Sequence, residues 1–250
     1  MAKKAKVNAG ILIIGNEILS GRTQDTNTST LATWLNSIGV KVEEVRIIPD
    51  IEKTIVDTIN FLRSTYDYVF TTGGIGPTHD DITALSISKA FNLTYGPHKE
   101  AMSILEKYYK PGEFNEGRKK MACMPTEANL ILNPTSGAPG FNVENVFCLP
   151  GVPSILKSML GGISHSLVGG DPILSHTINL KTVESEIAKP LSDVQEKNKD
   201  VDIGSYPFFR AGKLGVAIVL RSSDKNKIEN CKLEIFKFVK KKNVEIIEKD

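Results

Sequence analysis

The sequence has little cysteine, and its cysteines are not arranged for cross-linking or metal binding. Its 250 residues include Cys123, Cys148 and Cys231, which lie far apart and show no CxxC or CxxxC spacing. A disulfide framework or a zinc site needs more closely patterned cysteines. The spacing therefore predicts reduced thiols, in the core or on the surface of an intracellular protein.

Long hydrophobic runs are also missing. A transmembrane helix needs about 20 apolar residues, and no stretch of the sequence approaches that length. The first apolar run, Val7–Ile14, is short and ends in the polar string GNE, whereas a secretory signal peptide has a longer apolar core and a small-residue cleavage site. We expect a cytoplasmic protein with no membrane partner.

Strong net charge is absent as well. A formal net charge of +2, with 24% charged and 40% hydrophobic residues, is typical of an ordinary globular protein and gives no global basic field. The lysine-rich string at 237–243 is typical of the solvated face of a helix. Residues 172–250 show no RNP-like aromatic pattern and no GxxG loop with basic neighbours. These features argue against a nucleic-acid partner.

The first part of the chain contains a regular alternation of strand and helix patterns. Val7–Ile14 is a continuous apolar run, as expected for a strand covered on both faces. The alternation after it predicts a mostly parallel sheet with helices on both sides. The predicted elements are helices at Thr28–Ile38, Ile51–Thr65, Ile82–Phe91, His98–Tyr109 and from Pro153 to about Leu167, and strands at Val40–Ile48, Asp67–Thr72, Asn129–Leu132 and Val146–Leu149.

The pattern changes after the string VGGDPI, whose glycines and proline mark a boundary near residue 170. The order of elements beyond it is βαββαβ, the ferredoxin-like split unit. The sequence thus predicts an α/β domain at 1–170 and a small α+β domain at 171–250. The elements predicted in the second domain are strands at Ser175–Val183, Val201–Tyr206, Leu214–Arg221 and Asn243–Ile247, and helices at Glu184–Asn198 and Lys225–Lys241.

The string FTTGGIGPTHDDIT at 70–83 places three glycines within four positions, between a buried strand and a helix. Gly73, Gly74 and Gly76 allow positive φ and a close approach of backbone N–H groups to a ligand, and the start of the helix favours an anion. The string is neither a Walker loop nor a GxGxxG fingerprint. It predicts a phosphate site that includes Thr78, with a tight turn that binds nothing as the alternative.

Asp80 and Asp81 follow the glycines directly. Helix capping and the helix dipole explain one acidic residue at such a place. Two of them beside three glycines favour a cation site, because a Mg²⁺-type ion binds one or two carboxylates together with substrate phosphate. We therefore predict a metal site at Asp80 and Asp81.

Polar loops also follow other predicted strands. The string GNEILSGRTQDTN at 15–27 lies at the carboxyl end of the first strand, where ligands bind in open α/β sheets, and contains Glu17. Asp50 ends the string IPD after the second strand, where capping of the next helix is an equally good explanation. Another loop with small side chains and hydroxyl groups is the string NPTSGAPGF at 133–141. We expect substrate-binding groups from these loops at Asn16, Ser136 and Gly137.

Taken together, the strings GNEILSGRTQDTN, IPD, TTGGIGPTHDDIT, APGF and LPGVP resemble the molybdopterin-binding (MoaB/Mog-type) domain family. The string THDD is similar to one branch, found in competence-damage-inducible protein A (CinA) and in the N-terminal hydrolase half of eukaryotic FAD synthases. These strings cover residues 8–165 in order. The strings ESEIAKPL and VDIGSYP resemble the small α+β domain that follows in the same proteins.

The resemblance implies a three-layer α/β fold, a nucleotide or pterin ligand at the glycine loop, and a homo-oligomer, either a dimer or a trimer. Asp50 and Asp81 match two acidic positions that work with Mg²⁺ in the molybdopterin adenylyltransferases of the family. In the CinA branch the associated activity is diphosphate cleavage in ADP-ribose, and in FAD for the eukaryotic relatives, with a divalent metal (Mg²⁺, Mn²⁺ or Co²⁺) and K⁺. CinA proteins usually add an amidase domain; this sequence ends at Asp250, so that activity is not carried over.

Three functions are consistent with these residues. A metal-dependent pyrophosphatase would hold a diphosphate on the glycine N–H groups and a cation on Asp81 with Asp50 or Asp80, and Glu17 would orient water. A protein that binds or adenylylates molybdopterin would use the same loop and aspartates. The third possibility is a binding module without turnover. The THDD string favours the pyrophosphatase.

Overall fold

A computed structural model describes residues 7–210 and 213–247 of the protein. The chain divides into two compact units, and the division falls between Asp171 and Pro172. Each unit has its own sheet and its own hydrophobic core. Within the described ranges, no helix is long and apolar enough to cross a membrane.

The first unit contains the predicted alternation of strands and helices. Its described strands are β1 (Val7–Ile14), β2 (Val40–Ile48), β3 (Tyr68–Thr72), β4 (Tyr95–Pro97), β5 (Cys123–Pro125), β6 (Asn129–Ile131), β7 (Gly140–Val143) and β8 (Val146–Leu149). Its described helices are α1 (Asn16–Leu19), α2 (Asn27–Ser37), α3 (Glu52–Thr65), α4 (Thr83–Ala90), α5 (Lys99–Tyr108), α6 (Glu116–Lys120) and α7 (Pro153–Ile163), followed by a 3₁₀ turn at Ser164–Ser166.

Some short elements were not predicted. The helix α1 lies inside a string that we expected to be a loop, and β7 begins at the end of the bare string 133–141. The strands β4 and β5 pair only with each other, as a small antiparallel ribbon. Elements of three or four residues contain at most about two periods of an amphipathic pattern, too few for periodicity to reveal them.

The main sheet of the first unit has the strand order β2-β1-β3-β8-β7-β6. β1 is parallel to β2 and β3, and β3 is parallel to β8, while β7 and β6 continue the sheet in antiparallel pairs. This confirms a mostly parallel sheet. The carboxyl ends of β1, β2, β3 and β8 therefore meet at one edge, where the loops at Gly15, Asp50, Gly73 and Gly151 lie.

Helices cover both faces of this sheet, which confirms the three-layer fold. Side chains alternate between the two faces along β1. Leu12 and Ile14 belong to the core on the side of α3, α4 and α5, whereas Ile11 and Ile13 belong to the core on the side of α2 and α7. Since both cores are apolar, β1 needs apolar residues at successive positions, and this explains its unbroken hydrophobic run.

The second unit has the predicted order βαββαβ. Its strands form an antiparallel sheet in the order β10-β11-β9-β12, and the residues buried between sheet and helices include Ile178, Ile218 and Ile235. The elements are β9 (Leu174–Lys181), α8 (Glu184–Lys197), β10 (Asp202–Arg210), β11 (Lys213–Ser222), α9 (Lys225–Lys241) and β12 (Glu245–Ile247).

The strand β10 is longer than predicted. The prediction ended it at Tyr206, but pairing with β11 continues past Pro207 to Arg210. β10 is the edge strand of its sheet. A proline without an N–H is tolerated there because one side of an edge strand has no ladder to complete.

The cysteines are free thiols in different environments. Cys148 and Cys231 are fully buried, whereas Cys123 is partly exposed. Burial raises the pKa of Cys148 to about 12 and the pKa of Cys231 to about 11. Burial also raises the pKa of the Cys123 thiol.

We predict that a thiol reagent such as dithionitrobenzoate modifies only Cys123 in the folded protein. The thiolate is the reactive form, so labelling should be slow at pH 7.5 and should accelerate as the pH rises toward the elevated pKa of Cys123. Counting released thionitrobenzoate should give one thiol in native protein and three after denaturation. Cys123→Ser should remove the native signal; rapid native labelling of a second thiol would contradict the burial of Cys148 and Cys231.

Candidate functional site

The turn between β3 and α4 requires glycine at two successive positions. Gly73 and Gly74 have φ values of +98° and +67°, which residues with a side chain rarely adopt. A Cβ atom at Gly73 would lie 2.1 Å from the carbonyl oxygen of Ile14, and one at Gly74 would lie 2.1 Å from Oγ1 of Thr83. The glycine backbone, which has no side chains, therefore packs directly against the end of β1 and the start of α4.

Thr83 holds this turn from the inside. It is fully buried, its hydroxyl donates to the carbonyl oxygen of Gly73 at 3.0 Å, and its N–H donates to the carbonyl oxygen of Gly74 at 2.9 Å. In a planar trans peptide the C=O and the following N–H point in opposite directions. The N–H groups of Gly74 and Ile75 therefore point away from Thr83. Thr83 was not a predicted site residue; its one sequence signal is its place at the end of the glycine string.

The N–H groups of this glycine loop divide into engaged and available donors. The N–H of Gly73 donates to the carbonyl oxygen of Leu149 at 3.1 Å, contrary to the expectation that Gly73 offers it to a ligand. For the N–H groups of Gly74, Ile75 and Gly76, no acceptor is found among residues 7–210 and 213–247. Successive unengaged N–H groups of this kind are suited to binding an anion.

Asp81 is held against the loop by Thr78 and Gly76. Oδ2 of Asp81 accepts hydrogen bonds from the N–H of Thr78 at 2.8 Å and from its hydroxyl at 2.5 Å. A Cβ atom at Gly76 would lie 2.8 Å from the same oxygen, so glycine is needed for this approach. The hydroxyl of Thr78, which we expected to bind phosphate, instead fixes the Asp81 carboxylate.

Asp80 is exposed beside this arrangement. The pKa of Asp80 is lowered, first by the neighbouring Thr78 hydroxyl, then by its own backbone N–H, with smaller contributions from His79 and Lys120. No aspartate side chain caps α4, because Ile82 occupies the cap position and makes no side-chain cap bond. Capping therefore does not explain the paired aspartates.

The segments after β1 and β2 each bring one further carboxylate to this edge of the sheet. Oδ2 of Asp50 accepts a hydrogen bond from the N–H of Asn16 at 2.8 Å. The alternative of Asp50 as the cap of α3 does not hold, since Ile51 is the cap residue and makes no side-chain cap bond. The exposed Glu17 carboxylate folds back over Gly15, where a Cβ atom would lie 2.5 Å from Oε1.

Asn27, the last residue of the polar string 15–27, joins two of the loops at this edge. It is buried at the start of α2, and its side-chain amide donates to the carbonyl oxygen of Gly151 at 2.8 Å and to the hydroxyl of Thr72 at 3.4 Å. A Cβ atom at Gly151 would lie 3.4 Å from Cα of Gly73. The ends of β1, β3 and β8 are therefore in direct contact.

Ser136 and Gly137 are engaged within their own loop. The Ser136 hydroxyl accepts a hydrogen bond from the side-chain amide of Asn133 at 2.7 Å, and a Cβ atom at Gly137 would lie 2.6 Å from the ring of Tyr108. It is Pro139 that lines a small pocket together with the glycine loop. The recorded contacts thus give Ser136 and Gly137 a role in shaping the loop.

This pocket behind the glycine loop is lined by Gly74, Gly76, Asp81, Phe141 and Lys120, among others. Its volume of about 10 Å³ suffices for one water molecule, whereas pockets for organic ligands measure about 300–1,000 Å³. The pocket is therefore too small to enclose a nucleotide or pterin. Lys120 was not predicted; its only sequence signal is the basic run 118–120.

The aspartates do not form a complete metal cage. In the part of the chain that the structure describes, no group of three or more His, Cys, Asp or Glu side chains is placed to hold a metal ion. Asp80 and Asp81 would need further ligands. That donor set fits Mg²⁺-type ions, which keep several waters and bind through one or two carboxylates and substrate phosphates.

Each of the two units matches a known protein family. Residues 10–169 match the family described as "probable molybdopterin binding domain", and residues 172–247 match "FAD synthase, middle domain". A protein of Archaeoglobus fulgidus is 34% identical over 220 residues, covering 88% of this chain and 92% of that protein. A CinA-like protein of Syntrophus aciditrophicus is 29% identical over 250 residues; the match covers 91% of this chain and 60% of that protein.

A solved structure is similar to the first unit in its fold as well. The protein CinA of Thermoplasma acidophilum, described as being of unknown function, matches with a TM-score of 0.61 at 30% identity and covers 65% of this chain and 99% of its own. With the family match over residues 10–169, the chain belongs to the molybdopterin-binding (MoaB/Mog-like) domain family, in a CinA-like form that continues into a FAD synthase middle domain.

Proposed function

We propose that this protein hydrolyses the diphosphate bond of ADP-ribose or a related dinucleotide such as FAD, with a divalent metal ion. The observation that carries the proposal is the glycine loop. It leaves the N–H groups of Gly74, Ile75 and Gly76 without acceptors among the described residues, directly beside the fixed carboxylate of Asp81. Anion donors next to an immobilised carboxylate suit a metal-bound phosphate.

Electrostatics explain why a cation belongs in this proposal. Glu17, Asp50, Asp80 and Asp81 all lie in the segments that follow β1, β2 and β3 at the same edge of the sheet. Without compensation, these carboxylates would repel a diphosphate. Asp80 and Asp81 would hold a Mg²⁺, Mn²⁺ or Co²⁺ ion, with K⁺ as a further ion, and a bound divalent ion polarises a phosphoryl oxygen and lowers the pKa of water.

The chain's own groups have separate tasks in this reaction. The N–H groups of Gly74, Ile75 and Gly76 donate to phosphate oxygens, and the Glu17 carboxylate accepts a hydrogen bond from the attacking water and orients it. The water oxygen forms a bond to one phosphorus while the bond from that phosphorus to the bridging oxygen breaks. ADP-ribose then gives AMP and ribose 5-phosphate, and the proton of the water passes to solvent.

The match of the second unit to the FAD synthase middle domain supports a dinucleotide substrate. The description of the family matched by the first unit supports a second candidate, binding or adenylylation of molybdopterin. Both ligands carry phosphate, so the glycine loop serves either. Incubation with molybdopterin and ATP, followed by detection of adenylylated molybdopterin, tests the second candidate directly.

We predict that Asp81→Asn lowers metal-dependent release of AMP from ADP-ribose by at least about 100-fold, the scale on which loss of a charged catalytic group acts. The amide keeps the shape of the carboxylate but not its charge, so the thermal midpoint should change little. Asp57→Asn is the matched control, because Asp57 is exposed on α3 and forms a surface ion pair with Lys53. The assay is phosphate-coupled turnover on ADP-ribose, FAD and NADH, with each metal and with or without K⁺.

Unchanged turnover in Asp81→Asn would remove Asp81 from the catalytic machinery. If folded wild-type protein turned over none of the dinucleotides, the pyrophosphatase proposal would fail. Formation of adenylylated molybdopterin would then support the second candidate, and its absence as well would leave a binding module.

We predict that Gly76→Ala and Gly21→Ala separate activity from stability. The methyl group at Gly76 would meet Oδ2 of Asp81 at 2.8 Å, so turnover should fall at least about tenfold while stability changes by less than about 1 kcal/mol. Gly21 has φ of +72° with open space around it, so alanine should cost about 1–2 kcal/mol in backbone strain and leave turnover unchanged. Urea unfolding and steady-state kinetics measure the two effects, and full activity in Gly76→Ala would contradict the proposed role of the Asp81 position.

The family resemblance also supports a homo-oligomer. We expect two or three times the mass of one chain in light scattering coupled to gel filtration. A monomer at micromolar concentration would contradict this expectation and would leave the proposed chemistry untouched.

A further inference from the structure

The short helix α6 carries three successive basic residues with different surroundings. Arg118 lies over the ring of Tyr109, with Cζ 4.0 Å from the ring centre, and its Nη1 lies 3.6 Å from the Glu113 carboxylate. Lys119 pairs with the Glu116 carboxylate at 2.7 Å. The charges of Arg118 and Lys119 are therefore compensated locally.

Lys120 differs from its neighbours. Its ammonium donates a hydrogen bond to the carbonyl oxygen of Thr78 in the glycine loop. Among the described residues, no carboxylate lies within ion-pair distance of Nζ of Lys120. Lys120 is partly exposed, and its charge lowers the pKa of Asp80 without a direct ion pair. Its hydrogen bond to a neutral carbonyl would give way to a stronger, charge-assisted one when an anion reaches the ammonium.

The backbone around Lys120 is anchored against the site. The side chain of Asn115 caps α6 by accepting a hydrogen bond from the N–H of Arg118 at 3.0 Å, and a Cβ atom at Gly117 would lie 3.7 Å from the carbonyl oxygen of Pro77. Beyond the helix, Ala122 is fully buried and its carbonyl oxygen accepts a hydrogen bond from the N–H of His98 at 2.8 Å. The helix therefore presents Lys120 to the loop from a fixed position.

We infer that Lys120 is a substrate-binding residue that contacts the diphosphate, exchanging its hydrogen bond with Thr78 for one with a phosphate oxygen. The inference rests on the proposed function and extends it, because it adds a side-chain cation to the backbone donors of Gly74, Ile75 and Gly76. The Lys120 side chain also lines the small pocket together with Gly74, Gly76 and Asp81. Its charge offsets part of the repulsion between the diphosphate and the surrounding carboxylates.

The test compares Lys120→Met with Lys119→Met. Both substitutions remove one positive charge from the same helix, so they change the general surface potential equally, but only Lys120 reaches the glycine loop. The probe is α,β-methylene-ADP with Mg²⁺, a diphosphate that cannot be hydrolysed at its bridge, and isothermal titration gives its Kd. Lys120→Gln is a second variant in case the methionine disturbs folding, and circular dichroism checks each variant.

We expect Lys120→Met to weaken binding about tenfold to a hundredfold, as for loss of a charged hydrogen bond, and to flatten the dependence of Kd on salt. Lys119→Met should stay within about twofold of wild type, and Lys120→Arg should retain most of the affinity. With ADP-ribose as substrate, Lys120→Met should raise KM more than it lowers kcat.

Equal effects of Lys120→Met and Lys119→Met, or no effect of either, would overturn the inference. If wild type still turned over ADP-ribose, the proposed function would stand without it. If folded wild type neither bound the methylene analogue nor cleaved any dinucleotide, the proposed function would fail, and the role of Lys120 as a diphosphate ligand would fail with it.

Discussion

Two hydrogen bonds from one buried residue set the conformation on which the candidate site depends. Thr83 holds the carbonyl oxygens of Gly73 and Gly74 toward the start of α4, and peptide geometry then turns the next two N–H groups the other way. Neither glycine can carry a Cβ atom without displacing Ile14 or Thr83. A local turn is thus fixed by two distant constraints, the end of β1 and the first residue of α4.

Hydrogen bonds also fix two of the carboxylates around this loop. Oδ2 of Asp50 accepts the N–H of Asn16, and Oδ2 of Asp81 accepts the N–H of Thr78. In each case a backbone donor holds one carboxylate oxygen, while the hydrogen bonds recorded among the described residues leave Oδ1 open to water, an ion or substrate. Carboxylates next to N–H groups that bind an anion would repel that anion. The arrangement becomes favourable when cations bind together with the phosphate.

The fold and the centre of the candidate site could be predicted from the sequence, because both depend on local patterns. Strand–helix alternation revealed the mostly parallel sheet, and the glycine string with its aspartates marked the loop. Thr83 and Lys120 were missed because what distinguishes them is which distant backbone atom they reach. Asp50 was ambiguous for the same reason: its partner is Asn16, 34 positions away in the sequence, and only the sheet brings the two together.

The geometry of the loop also limits what it can select. In the proposed function, backbone N–H groups and one ammonium bind phosphate, which ADP-ribose, FAD and adenylylated molybdopterin all carry. The pocket behind the loop holds no more than a water molecule, so it cannot sort these ligands by their organic parts. Under the proposed function, selectivity would come from side chains outside this pocket, and substrates that differ only in the group attached to a common diphosphate would reveal it.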